Sequence, residues 1–228
     1  MKILKYLTSI TLAVNLLFIA FTVTSCASKT LVVKADKSQQ YIKYWSENEQ
    51  GKHESIIRLI SPKGYFYCTG FVVDENYALT AAHCVVNNIT GSIIDEDVFI
   101  YDSYSNNTGT VARTIAVDLY RDVAFIKGNF KAFKYQKTDF YGKVIKRNMK
   151  VQSCGYPSGR VSKFCVELTL TGNKYFQYRA KGLPIFKGMS GGVVIDVETG
   201  YAVGVNSAVD EDTVIISPLV GVLETVGL

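Results

Sequence analysis

From Ser55 onward the chain is written in short β-rich runs broken by turn residues. SIIRLI, YFYCTGFVV, DVFIY, TVARTIAV and DVAFIK come first; KVQSCGY, KFCVELTL, KYFQYRA, GGVVIDV, YAVGVNS and TVIIS follow. Gly, Asn, Asp and Ser separate them. No long apolar pattern with a 3.6-residue period interrupts them until the end of the chain. Many short strands with this punctuation predict an all-β sandwich or barrel. The final SPLVGVLETVGL reads as a helix over 217–228, with Ser217 as N-cap and Pro218 at the first helical position. Residues 128–143 are polar and basic without clear alternation, and read as the connection between two β units. No internal repeat is visible.

With 228 residues the chain has room for one large domain or two small ones sharing a core. It is 48% hydrophobic and 20% charged, as folded globular proteins are. A formal charge of +5 is too mild to point to nucleic acid, and no RNA- or DNA-binding motif accompanies it.

The first 25 residues have a different texture. Lys2 and Lys5 precede a mainly apolar run from Tyr6 to Val23, the charged and apolar regions of an export signal. The run is short for a membrane span, and Thr8, Ser9, Thr11 and Asn15 dilute it. Export implies an oxidising compartment. Val23, Thr24 and Ser25 lead into Cys26, which resembles the bacterial lipobox, where the cysteine is lipidated and becomes the new N-terminus. The chain has five cysteines, at 26, 68, 84, 154 and 165. If four pair, the odd one is most simply Cys26. Residues 26–52 are polar and read as a tether or arm.

Three segments carry chemistry. LTAAHCV holds His83, one of only two histidines; RDVAFIK holds Asp122; GMSGGVV holds Ser190 among three glycines. Each alone has a bland reading: a core histidine, a capping acid at a strand start, a turn. Asp118 lies close enough to compete with Asp122. His53, the other histidine, stands in a polar arm and reads as solvated. CGYPSGRVSKFC is not a zinc pattern, because no histidine accompanies its two cysteines. No metal cluster is visible.

In this order, in an exported all-β chain, the three segments resemble the trypsin-like (chymotrypsin-fold) serine proteases over residues 53–228. The resemblance implies two antiparallel six-stranded Greek-key β-barrels, near 53–127 and 144–216, followed by the C-terminal helix. It gives His83, Asp122 and Ser190 the roles of base, orienting acid and nucleophile, with no cofactor and no metal. The chemistry has a physical basis. A serine hydroxyl is a weak nucleophile without an adjacent base, and imidazole can take its proton and return it to a leaving amine. Neighbouring glycines free the backbone to aim N–H groups at the developing oxyanion; the family assigns those donors to Gly188 and Ser190. The family also pairs the cysteine after the histidine with one on the preceding strand, here Cys84 with Cys68. Cys154 and Cys165 remain as the second pair.

The chain departs from the digestive members of that family. It has no IVGG-type activation segment, and Met189, not an acid, precedes Ser190. By position the primary pocket falls to Pro184 and Ile185, then to Ser207 and Val209 in VNSAV. Pro184 stands where a basal aspartate would select Lys or Arg, and Val209 where elastase-like members narrow the slot. Asp210, Glu211 and Asp212 could attract basic residues at the rim. The leading expectation is an exported, lipid-anchored serine endopeptidase, periplasmic or at the cell surface, acting on protein or peptide substrates. The alternatives are an inactive relative that binds a protein partner through the same fold, and a plain surface lipoprotein.

Overall fold

The structure is a computed structural model. It describes residues 54–60, 67–87, 90, 92–93, 97–102, 107–141, 145–157, 162–174, 177–182 and 185–227. The segment read as an export signal, Cys26, the segment read as an arm, and His53 lie outside the described residues.

Twelve strands close into two barrels. The first contains β1 (Ile56–Ile60), β2 (Tyr67–Val72), β3 (Tyr77–Thr80), β4 (Asp97–Tyr101), β5 (Asn107–Asp118) and β6 (Val123–Lys127). The second contains β7 (Lys150–Gly155), β8 (Phe164–Lys174), β9 (Gln177–Gly182), β10 (Val193–Asp196), β11 (Ala202–Asp210) and β12 (Thr213–Pro218). The spatial order is β1-β2-β3-β6-β5-β4 in one barrel, and β7-β8-β9-β12-β11-β10 in the other. The same antiparallel topology is therefore used twice, although the sequence carries no visible repeat. The two six-stranded barrels implied by the resemblance are present.

Alternation explains the strands. β4 buries every second residue, so one face of DVFIY enters the core and the other meets solvent. Ile57, Leu59, Phe71, Leu79, Ile100 and Ile126 fill the first barrel without measurable exposure. Val151, Val166, Ala180, Val194, Val214 and Ile216 fill the second. Cys154, Tyr156, Val193, Val205 and Leu219 belong to the second unit yet pack with the first core. An apolar layer thus runs across the seam between the barrels. The polar-looking connection contributes more than its composition predicts. Phe130 and Phe133 are fully buried, 5.7 Å apart edge to face, and plug the first barrel. Farther on, Thr138 bridges to Ala202, laying the connection against β11.

The end of the chain differs from expectation. Ser217 and Pro218 do not begin a helix; they close β12, opposite Val205 and Gly204. The Ser217 hydroxyl is buried without a hydrogen-bond partner, so it caps nothing. A residue before proline is biased to extended backbone, and SP therefore suits a strand end as well as a helix start. The helix, α1, spans only Val222–Val226 and follows Gly221 at φ 73°. No helix among the described residues is long and apolar enough to cross a membrane.

Two disulfides are formed, Cys68–Cys84 and Cys154–Cys165. The second joins directly opposite residues of β7 and β8. Disulfides of this kind belong to extracellular or periplasmic proteins. Cys68–Cys84 closes a separation of 16 residues around the β2–β3 hairpin. Replacing both cysteines with alanine should lower stability by about 3 kcal/mol. A denaturant titration reads this as a lower midpoint, with a slope equal to or steeper than that of the wild type because the unfolded chain is less constrained; an unmoved midpoint would contradict it.

Candidate active site

His83 lies in a single 3-10 turn, Ala82–Cys84, immediately after β3. The disulfide from Cys84 back to Cys68 on β2 fixes that turn to the barrel wall. Asp122 lies at the same barrel end, in the tight connection from β5 to β6, just before the strand that pairs with β3 through Ala124 and Thr80. Its φ of 58° is left-handed, a conformation Asp tolerates better than most residues but which still needs surrounding contacts to hold it. Those contacts are present. The His83 backbone N–H donates to Asp122 Oδ1 at 2.9 Å. His83 Nδ1 lies 2.9 Å from Oδ2 and 3.1 Å from Oδ1. The Ser207 hydroxyl donates to Oδ2 at 2.5 Å.

This arrangement sets the tautomer. An ionised carboxylate only accepts, so the ring proton belongs on Nδ1 and Nε2 keeps its lone pair for another group. Ser207 reaches the carboxylate because β11 bulges between Asn206 and Ala208, which turns one side chain out of the ladder. Asp118, the competing acid, is engaged elsewhere. Its Oδ1 accepts the Arg121 N–H and its Oδ2 accepts Arg121 Nη1, both at 2.9 Å. The same Nη1 donates to Thr225 Oγ1, tying the β5–β6 connection to α1.

Ser190 occupies the turn that enters β10. Gly188 at φ 92° and Gly191 at φ 81° bracket it in conformations that only glycine adopts freely. Ser190 is half-buried, and its carbonyl accepts the Thr69 N–H of the first barrel at 2.8 Å. Gly191 shows how closely the barrels meet here. A Cβ at that position would lie 2.1 Å from Thr69 O, 2.1 Å from Thr80 Oγ1 and 2.8 Å from Ala81 N. Ala81 is two residues before His83, so the serine turn presses on the strand end that carries the histidine. The Ser190 hydroxyl itself makes no hydrogen bond among the described residues.

The expected pocket residues are placed unevenly. Ile185 is buried in the second core with Met189. Ser207 faces Asp122, and Val209 is 43% exposed on β11. Pro184 lies outside the described residues. The acidic run is partly matched across the sheet: Asp210 lies 3.4 Å from Arg179, and Asp212 lies 3.8 Å from Lys181. Cys68, His83 and Cys84 place three potential metal-ligating atoms together, but the sulfurs are joined in the disulfide and are not thiolates. Sequence reasoning missed Thr69 and Asn206. Both are fully buried polar residues that bond to the serine turn.

Residues 68–205 match the family model of the trypsin-like peptidase domain. The fold is similar to that of Rv3671c protease of M. tuberculosis in its inactive form, at 21% identity over 76% of this chain and 89% of that one, with a TM-score of 0.60. It is also similar to a Glu endopeptidase in complex with MPD, at 20% identity over 75% and 87%, with a TM-score of 0.62. A serine endoprotease from Yersinia pestis aligns at 14% identity over 73% and 59%, with a TM-score of 0.58. No curated protein matches the sequence.

Gly191→Ala tests the close approach. A left-handed alanine costs about 1–2 kcal/mol and forced overpacking about 1–3 more, so thermal unfolding should occur well below the wild-type midpoint. An unchanged midpoint would mean that the barrels do not touch as described.

Proposed function

The chain belongs to the trypsin-like peptidase family, and on that premise we propose that it is an exported serine endopeptidase working through His83, Asp122 and Ser190. The observation that carries this reading is the His83–Asp122 pair, joined at 2.9 Å, with the glycine-bracketed serine turn packed against the strand end that carries the histidine. Ser190 Oγ attacks the scissile carbonyl carbon and its proton passes to His83 Nε2. The N–H groups of Gly188 and Ser190 receive the oxyanion. His83 then gives the proton to the leaving amine as the C–N bond breaks, leaving an acyl group on Ser190. Water, deprotonated by the same imidazole, releases it. Asp122 holds the ring orientation and stabilises the imidazolium. A hydrogen bond from the Ser190 hydroxyl to His83 Nε2 is not formed here; a nucleophile–base contact of this kind commonly closes only when substrate is bound.

The N-terminal sequence supports export and attachment to a membrane through a lipid on Cys26. Two disulfides agree with an oxidising compartment.

Substrate choice follows from the apolar character of the residues assigned to the pocket. Ile185 and Val209, with Pro184 in place of a basal acid, favour small or medium apolar side chains before the scissile bond. A Lys or Arg side chain there would be left as an unpaired buried cation, which costs several kcal/mol. Asp210 and Asp212 lie at the exposed surface beside basic partners, where ion pairs contribute under about 1 kcal/mol.

Asp122→Asn should lower turnover of a peptide substrate by up to about four orders of magnitude with the fold intact. Asp118→Asn should act mainly on stability, because it removes the partner of Arg121. The reverse pattern would move the acid to Asp118. Digestion of a peptide library should give small or medium apolar residues at the cleaved position; a dominance of Lys or Arg would refute the pocket assignment.

A further inference from the structure

We propose that Thr69, on β2 of the first barrel, is the positioning residue that keeps the oxyanion-binding turn of the second barrel formed. This inference rests on the peptidase reading above and adds to it the device that replaces an ionic anchor.

Three successive carbonyls of the serine turn point inward and are held. Gly188 O accepts Thr69 Oγ1 at 2.7 Å. Met189 O accepts the Gly192 N–H at 2.9 Å and lies 3.4 Å from Asn206 Nδ2. Ser190 O accepts the Thr69 N–H at 2.8 Å. In a trans peptide the carbonyl and the following N–H point in opposite directions. Holding Met189 O inward therefore sends the Ser190 N–H outward. Holding Gly188 O fixes the peptide on the far side of the Gly188 Cα, whose own N–H is the other donor.

The direction of the Thr69 hydrogen bond follows from valence. Its hydroxyl also receives the Tyr156 N–H at 2.8 Å, so its one proton goes to Gly188 O. The residue is fully buried, and its own carbonyl accepts Thr80 Oγ1 at 2.7 Å. Every hydrogen-bonding group that Thr69 brings to the seam is thus committed. Gly155 shows how tightly the hydroxyl is enclosed: a Cβ there would meet Met189 Cα at 2.9 Å and Thr69 Oγ1 at 3.1 Å.

The turn needs such a hold. Glycine occupies φ of either sign with little preference, so nothing intrinsic keeps Gly188 at φ 92°. Met189 carries no charge and its side chain is fully buried in the second core, so it offers no ion pair to lock the turn. The hold is neutral and comes from the opposite barrel. Adjacent Cys68 fixes the histidine turn through Cys84. Two consecutive β2 residues, Cys68 and Thr69, therefore set the base and the oxyanion donors from one strand.

The test compares Thr69→Val, Thr69→Ala and Thr69→Ser with the wild type in peptide hydrolysis and in binding of a peptide aldehyde, whose adduct with serine carries an oxyanion. Valine keeps the shape and deletes the hydroxyl. Alanine leaves room for water at the orphaned groups and serves if the valine variant does not fold. Removing an oxyanion donor costs about 100- to 1000-fold in kcat, so releasing one should cost about 10- to 100-fold, with KM little changed. Aldehyde affinity should weaken by the same factor as kcat. Thr69→Ser, which keeps the hydroxyl, should restore most of both. Folded valine or alanine variants with wild-type kcat would overturn the proposal. So would a loss confined to KM, or a serine variant as impaired as valine. A wild-type protein that hydrolyses no peptide would overturn the peptidase reading and this inference with it.

Discussion

The carboxylate of Asp122 joins the parts of this molecule that matter. It stands in the first barrel with its backbone in a left-handed turn, and takes donors from both barrels: the His83 N–H and ring Nδ1 on one side, the Ser207 hydroxyl on the other. A buried or half-buried carboxylate must be surrounded by donors to remain ionised at low cost. Here the donors are the groups whose placement the proposed chemistry requires. Satisfying one acid therefore orients the imidazole, fixes its tautomer and registers the second barrel on the first.

The seam is as tight at the serine turn. Gly191 leaves no space for a side chain against Thr69 and Thr80, and the Thr69 N–H binds Ser190 O across the gap. Such contacts tolerate little sliding, because interiors pack at the density of organic crystals. Two barrels of identical topology thus act as one rigid unit at their contact. The proposed nucleophile comes from one barrel, and the base and acid from the other.

Much of this was legible in the sequence, for reasons that differ by residue. The β architecture follows from alternation and turn punctuation, which need no tertiary information. His83, Asp122 and Ser190 stood out because a scarce histidine, an acid at a strand head and a glycine-flanked serine are locally unusual. The meeting of His83 with Asp122 is a property of the fold. Asp118 and Asp122 could not be separated by composition; the separation comes from Arg121, which occupies Asp118. Thr69 and Asn206 were invisible because a threonine and an asparagine in strands are ordinary, and their partners lie 119 and 17 residues away in the chain. SPLVGVLETVGL read as helix from Ser217 because capping signals are local, whereas the β12 ladder with Gly204 and Val205 that claimed Ser217 and Pro218 is not. Phe130 and Phe133 were hidden among lysines for the same reason.

The central claim is that Ser190 is activated by His83 as a nucleophile. The most direct measurement is mass spectrometry after incubation with a fluorophosphonate, in which serine oxygen attacks phosphorus and fluoride leaves. The account predicts one adduct per chain, on the peptide containing Ser190, absent from Ser190→Ala and strongly slowed in His83→Ala. Equal labelling of the Ser190→Ala protein, or none of the folded wild type, would contradict it.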